Sequence, residues 1–118
     1  MAASYVPERG DLVWLQFNPQ AGHEQAGHRP ALVVSPRPYN RQVGLALFCP
    51  ITSQVKGYPF EVALPKGLGV EGAVLSDQLK SLDWRVRKAK RIARLPTEVL
   101  EEAVGKILAL VDPAYEAR

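Results

Sequence analysis

Residues 96–113 read Pro96-Thr-Glu-Val-Leu-Glu-Glu-Ala-Val-Gly-Lys-Ile-Leu-Ala-Leu-Val-Asp-Pro113 and carry the one clear helical period in the chain. Leu100, Ala103, Val104, Ile107, Leu108 and Val111 recur at three- and four-residue steps, so they share one apolar stripe. Pro96 and Thr97 open the segment, with Thr97 the expected N-cap. Glu98, Glu101 and Glu102 crowd the first turn, where the helix dipole favours anions, and Asp112-Pro113 stops the helix. The spacing predicts a helix over 97–111.

Upstream of that helix the apolar segments are short. Runs at 11–17, 31–35, 44–49, 60–64 and 72–76 are each bounded by Pro, Gly or Asn and read as strands. Only Phe60-Glu-Val-Ala-Leu64 alternates cleanly; the others are apolar throughout, the pattern of strands covered on both faces or curled into a small barrel. Three loops are expected between them, at 18–28, 37–43 and 52–59. Strands first and one terminal helix give a mainly β (α+β) fold, a small barrel or curled sheet covered by the helix.

The 118 residues suit one domain spanning 1–118, whose folding buries roughly two-thirds of the surface of the unfolded chain. There is no room for a separate cofactor domain. Cys49 is the single cysteine, which excludes an internal disulfide, and no Cys/His grouping has zinc-ligand spacing. The N-terminus lacks a signal-peptide apolar stretch and no run reaches the ~18 residues of a membrane span, so a cytoplasmic address is expected.

The net charge of +3 hides a division. Residues 1–84 balance seven basic against seven acidic side chains; Arg85-Val-Arg-Lys-Ala-Lys-Arg-Ile-Ala-Arg94 holds six basic residues and no acid; residues 95–118 are net acidic. That block suits a polyanion or an acidic protein. Its periodicity fits neither helix nor strand well, since Val86 and Ile92 share a strand face with Lys88 and Lys90.

No phosphate loop, nucleophile elbow or His-Glu-x-x-His is present, so neither a nucleotide cofactor nor a metal is expected. Three segments carry polar chemistry. Gly22-His-Glu-Gln-Ala-Gly-His-Arg-Pro30 runs straight into a strand, and Pro30 biases Arg29 toward an extended conformation at the strand's mouth. There the guanidinium either presents its donor fork to a phosphate or salt-bridges Glu24. Cys49-Pro-Ile-Thr-Ser-Gln-Val-Lys-Gly57 ends a strand with Thr52, Ser53, Gln54 and Lys56, which either contact a ligand or satisfy turn backbone. In Ser76-Asp-Gln-Leu-Lys-Ser81, Asp77 and Gln78 either read base edges or form a turn. His23 and His28 are the only histidines and are candidates for proton transfer. Trp14, Phe48, Trp84 and Cys49 are expected in the core.

Gly10-Asp-Leu-Val-Trp14, Glu24-Gln-Ala-Gly-His-Arg-Pro30, Ser35-Pro36 with Tyr39-Asn40, Thr52 with Lys56-Gly-Tyr-Pro-Phe60, and Asp77-Gln78-Leu-Lys80-Ser81 with Trp84-Arg85 together resemble the MazF/PemK family of toxin endoribonucleases, in order from about Tyr5 to Val111. The resemblance implies an SH3-like β-barrel with a C-terminal helix, a homodimer, and metal-independent cleavage of single-stranded messenger RNA. It also implies neutralisation by a MazE-like antitoxin with an acidic flexible tail. Carried over by position, the catalytic roles fall on Arg29, Thr52 and Glu24, and RNA contacts on Asn18, Gln25, His28, Ser53, Gln54, Lys56, Asp77 and Gln78. Asn18 stands where many members have aspartate and His23 where serine is common, so the first loop departs from its relatives. Two other functions remain open at this point: a toxin of the same fold that binds a protein such as gyrase, as CcdB relatives do, and a non-catalytic single-strand binder using the basic block and Trp84.

Overall fold

The computed structural model describes residues 5–16 and 27–114. Seven strands and two helices follow in the order β1 (Asp11–Gln16), β2 (His28–Val33), α1 (Arg37–Val43), β3 (Leu45–Thr52), β4 (Glu61–Ala63), β5 (Ala73–Leu75), β6 (Lys80–Asp83), β7 (Lys90–Arg94) and α2 (Thr97–Val111). All pairings are antiparallel. The path of neighbours is β4-β5-β3-β2-β1-β7, with β6 beside β3. Expected as mainly β with a C-terminal helix, the chain has that architecture, but its curled sheet stays open: β4 and β7 end the path and do not pair.

The long strand β3 gives the sheet its curl. One side pairs with β2 through Phe48, Cys49 and Pro50, while the other is divided between β6 at residues 45–48 and β5 at Ile51 and Thr52. A strand serving two neighbours on one side must bend between them. Apolar side chains therefore pack on both faces of the central strands. Leu12, Leu32, Cys49, Ile51, Val62 and Val74 pack in one cluster with Leu100, Ala103 and Ile107 of α2. Val13, Leu15, Ala31, Val33 and Phe48 face the opposite way and pack with Trp84. This two-sided burial explains why most of the runs show no alternation. Burial also pushes the Cys49 thiol up to about 12, with the nearby charge of Asp77 adding to the effect.

Three expectations are corrected. Residues 37–43 form helix α1 instead of a loop; seven residues carry no readable period, and the element is fixed by side-chain bonds. Asn40 donates to the carbonyl oxygens of Pro7 (2.8 Å) and Ser35 (3.0 Å) and accepts from the Ser35 hydroxyl (2.6 Å), while the Trp84 indole N–H donates to the Asn40 carbonyl (2.9 Å). Thr97 does not cap α2: the N-cap is Pro96, with no side-chain cap bond, and the apolar stripe is buried only as far as Ile107, leaving Val111 67% exposed. The basic block is a turn followed by β7, which pairs with β1 and not with β6. Pairing runs Leu12 to Ala93 and then Val13 to Arg91, so Ile92 is an extra, bulged residue. That bulge breaks the period of two that a strand reading needs.

Candidate functional site

The register of β1, β2 and β3 brings the two expected reaction-centre residues together. Ala31 pairs with Pro50, Leu32 with Cys49 and Val33 with Phe48; Arg29 and Thr52 each lie two residues beyond the Ala31–Pro50 pair, toward the same end of the sheet. On its other side Arg29 pairs with Leu15 of β1. The strand β2 begins at His28, earlier than the run 31–35 suggested, which puts His28 and Arg29 on the sheet and not in the loop before it. Arg29 is exposed and its guanidinium has no hydrogen-bond or ion-pair partner among the described residues. The alternative salt bridge with Glu24 lies outside the described residues.

Thr52 ends β3 and its position is set from the opposite strand as well. Thr52 pairs with Ala73 of β5, and the preceding Gly72 has φ +124. A Cβ at Gly72 would meet the Thr52 carbonyl oxygen at 1.9 Å and the Ser53 Cα at 3.2 Å. Only glycine permits this approach of the two backbones. The Thr52 hydroxyl oxygen accepts the Gln54 N–H (3.0 Å), which turns the chain away from the strand. Beyond it, the Glu61 carboxylate receives the backbone N–H groups of Lys56 (3.1 Å) and Gly57 (2.9 Å) and shapes the loop that carries Lys56.

Around this pair lies a cavity of about 620 Å³, within the range of small-ligand sites. Arg29, Thr52, His28, Ser53 and Gln54 line it with Trp14, Pro30, Ile51, Val70 and Glu71. A smaller depression of about 140 Å³ adjoins it, sharing Thr52 and Gln54 and adding Lys56, Tyr58, Glu61, Leu75 and Gln78. The fold thus gathers Arg29, Thr52, His28, Ser53, Gln54, Lys56 and Gln78 into one continuous surface. Asp77 is exposed and lines neither depression. Asn18, Glu24 and Gln25 lie outside the described residues.

Two lining residues were not singled out from the sequence. Trp14, expected in the core, is only partly buried and stacks on His28, the ring centroids 6.2 Å apart at 25°. It shares a strand face with the fully buried Leu12, and only its position toward the end of β1 takes it out of the core; alternation alone carries no such signal. Glu71 precedes Gly72 in the connection between β4 and β5, where its sole clue was the glycine beside it. Trp84 is buried as expected, with the Arg85 guanidinium 4.6 Å above its ring centroid.

An arginine fork and a threonine hydroxyl held side by side at the mouth of a cavity can bind and polarise a phosphodiester. Comparison with known proteins agrees with this chemistry. The family profile described as PemK-like, MazF-like toxin of type II toxin–antitoxin system matches residues 8–111. The chain belongs to the PemK/MazF toxin family. It is 48% identical over 111 residues to endoribonuclease toxin MazF of Escherichia coli (strain K12), covering 94% of this chain and 99% of that one. Endoribonuclease PemK of Escherichia coli is 35% identical over 109 residues, covering 88% and 81%. Among solved PemK/MazF toxins, MazF (Form-I) from Deinococcus radiodurans superposes with a TM-score of 0.82 at 58% identity, covering 92% of this chain and 98% of that one. A MazE–MazF structure (Form-II) from the same organism gives 0.84 at 51% identity, with the same coverage.

Proposed function

We infer that this chain is an endoribonuclease toxin that cuts single-stranded RNA through the substrate's own 2′-hydroxyl, without a metal. The observation that carries the reading is that Arg29, near the start of β2, and Thr52, at the end of β3, line one cavity. In the step itself, the 2′-oxygen loses its proton and bonds to phosphorus while the bond to the 5′-oxygen breaks. The products are a 2′,3′-cyclic phosphate and a 5′-hydroxyl, with one proton removed and one delivered. The cavity has to hold the 2′-oxygen in line and stabilise the phosphorane charge.

Arg29 serves the second task, because a guanidinium stays charged at any working pH and bonds two phosphoryl oxygens. Thr52 adds a hydroxyl donor. The proton acceptor is Glu24 or His28, of which His28 lines the cavity. Ser53, Gln54, Lys56 and Gln78 extend the surface along which the strand would run, and Asn18, Gln25 and Asp77 are proposed to add contacts around it. The toxin acts as a homodimer in the cytoplasm and is neutralised by a MazE-like antitoxin with an acidic flexible tail; the family description and the solved MazE–MazF complexes support an antitoxin partner.

The test is incubation of the purified chain with a long unstructured RNA, with and without excess EDTA, followed by mapping of 5′ ends. Cuts should persist in EDTA and share a short sequence. A 2′-deoxy nucleotide at the cut should abolish cleavage there, and continued cutting would sink the internal-nucleophile mechanism. Arg29→Ala should lower the rate by about 10²–10³ while RNA binding survives. A protein-binding toxin or a plain strand binder would lose little.

A further inference from the structure

The cavity is lined by more than the Arg29–Thr52 pair. Its floor crosses four neighbouring chain segments: Trp14 on β1, Arg29 on β2, Thr52 on β3, and Glu71 in the residues leading into β5. Trp14 pairs with Pro30, one step from the Arg29–Leu15 pair, so the indole and the guanidinium leave opposite faces of the sheet and line the cavity from either side, with Glu71 reaching it from the connection before β5. A cavity lined from several strands lets two neighbouring bases, which rise only ~3.4 Å when stacked, splay apart on either side of the phosphate.

The two ends differ in chemistry. At one end, the partly buried Trp14 ring lies against His28 and offers an aromatic face with no acceptor; stacking of this kind tolerates any base. At the other end, Glu71 enters from the connection before β5, two residues ahead of the Ala73–Thr52 pair. Glu71 is exposed and its carboxylate has no hydrogen-bond or ion-pair partner among the described residues. Its backbone is fixed by the neighbouring Gly72, which lies against Thr52 with no space for a Cβ. A carboxylate accepts hydrogen bonds and donates none, so it favours an exocyclic amine over a carbonyl.

We propose that this cavity holds the two nucleotides flanking the cut in unequal subsites: one base stacks on Trp14 without sequence choice, and the other donates its exocyclic amine to Glu71, which disfavours uracil there. The inference rests on the endoribonuclease reading and assigns two specificity subsites within it.

The experiment maps cleavage of a random-sequence single-stranded RNA pool by the full chain and by Glu71→Gln, Trp14→Ala and Trp14→Phe, with kcat and KM measured on one cleaved oligonucleotide. Folding of each variant is followed by thermal melting, and Glu71→Gln, at an exposed position, should melt as the parent does. Expected for the parent is an amine-bearing base at one flanking position and broad tolerance at the other. Glu71→Gln, which can also donate, should admit uracil at the first position only. Trp14→Ala should raise KM about tenfold alike for all sequences, and Trp14→Phe should restore most of the affinity. An unchanged sequence preference in Glu71→Gln, or a Trp14→Ala defect confined to kcat, overturns the assignment while leaving the endoribonuclease reading intact. A parent chain that cuts no RNA overturns both.

Discussion

Tyr5 donates its hydroxyl hydrogen to Asp11, a carboxylate only 2% exposed that also pairs with Arg94 (3.3 Å) and Arg91 (3.5 Å). Burial, and next the hydrogen bond to Asp11, hold the phenol far above its ordinary value of 10.0. The sign of the linkage follows directly. The folded state keeps the phenol neutral, whereas in the unfolded chain it ionises near pH 10. Its contribution to stability is complete below that pH and is lost progressively as the pH rises above it. Denaturant midpoints measured between pH 8 and pH 11 should therefore fall at the alkaline end. Tyr5→Phe should be less stable at neutral pH and show a shallower alkaline decline. Some decline should persist in that variant, because the buried Cys49 thiol titrates in the same direction.

Elements place the reaction centre through backbone approach as much as through side chains. Gly72→Ala demands a Cβ within 1.9 Å of the Thr52 carbonyl oxygen at a φ of +124, so the end of β3 and the segment before β5 must part. Loss of stability by roughly 1–3 kcal/mol, read by urea titration, and a larger loss of cleavage than Gly67→Ala are expected; at Gly67 a Cβ meets nothing within 4 Å. How far each element was legible follows from its length and regularity. The fifteen residues of α2 repeat long enough to read, whereas Arg29 beside Pro30 and Thr52 two residues past Pro50 took their roles from the family resemblance. By contrast α1 is seven residues long and held by Asn40, β6 is polar, and the bulge at Ile92 hides β7. Trp14 was missed because strand alternation tells which face a residue takes but not where along the strand the covering layer stops, and Glu71 because it lies in a connection that carries no period.

At the scale of the molecule, the cationic block that dominates the charge pattern is divided by the fold. Arg91 and Arg94 turn toward the buried Asp11, and Arg85 lies over Trp84. The side chains of Lys88 and Lys90 are exposed without a partner among the described residues, Lys88 with its backbone in the left-handed region at φ 54. Lys90 pairs in register with Trp14, which brings this edge beside the cavity. Replacing Arg85 by Gln, Lys88 by Asn and Lys90 by Gln should weaken binding to all RNA sequences alike. The slope of log affinity against log salt should shrink by about two, at roughly 0.7 for each phosphate no longer neutralised. An unaltered slope would assign these charges to another partner.

The open sheet has one more consequence, for self-association. One side of β7 has no partner strand among the described residues, and such a row of backbone donors and acceptors is a template for a strand from another copy. Lys90, Arg91 and Arg94 lie along that row, so two such edges meeting would set like charges against each other. The cations along this edge thereby guard the protein against growing into fibres, and removing them would expose a surface prone to aggregation.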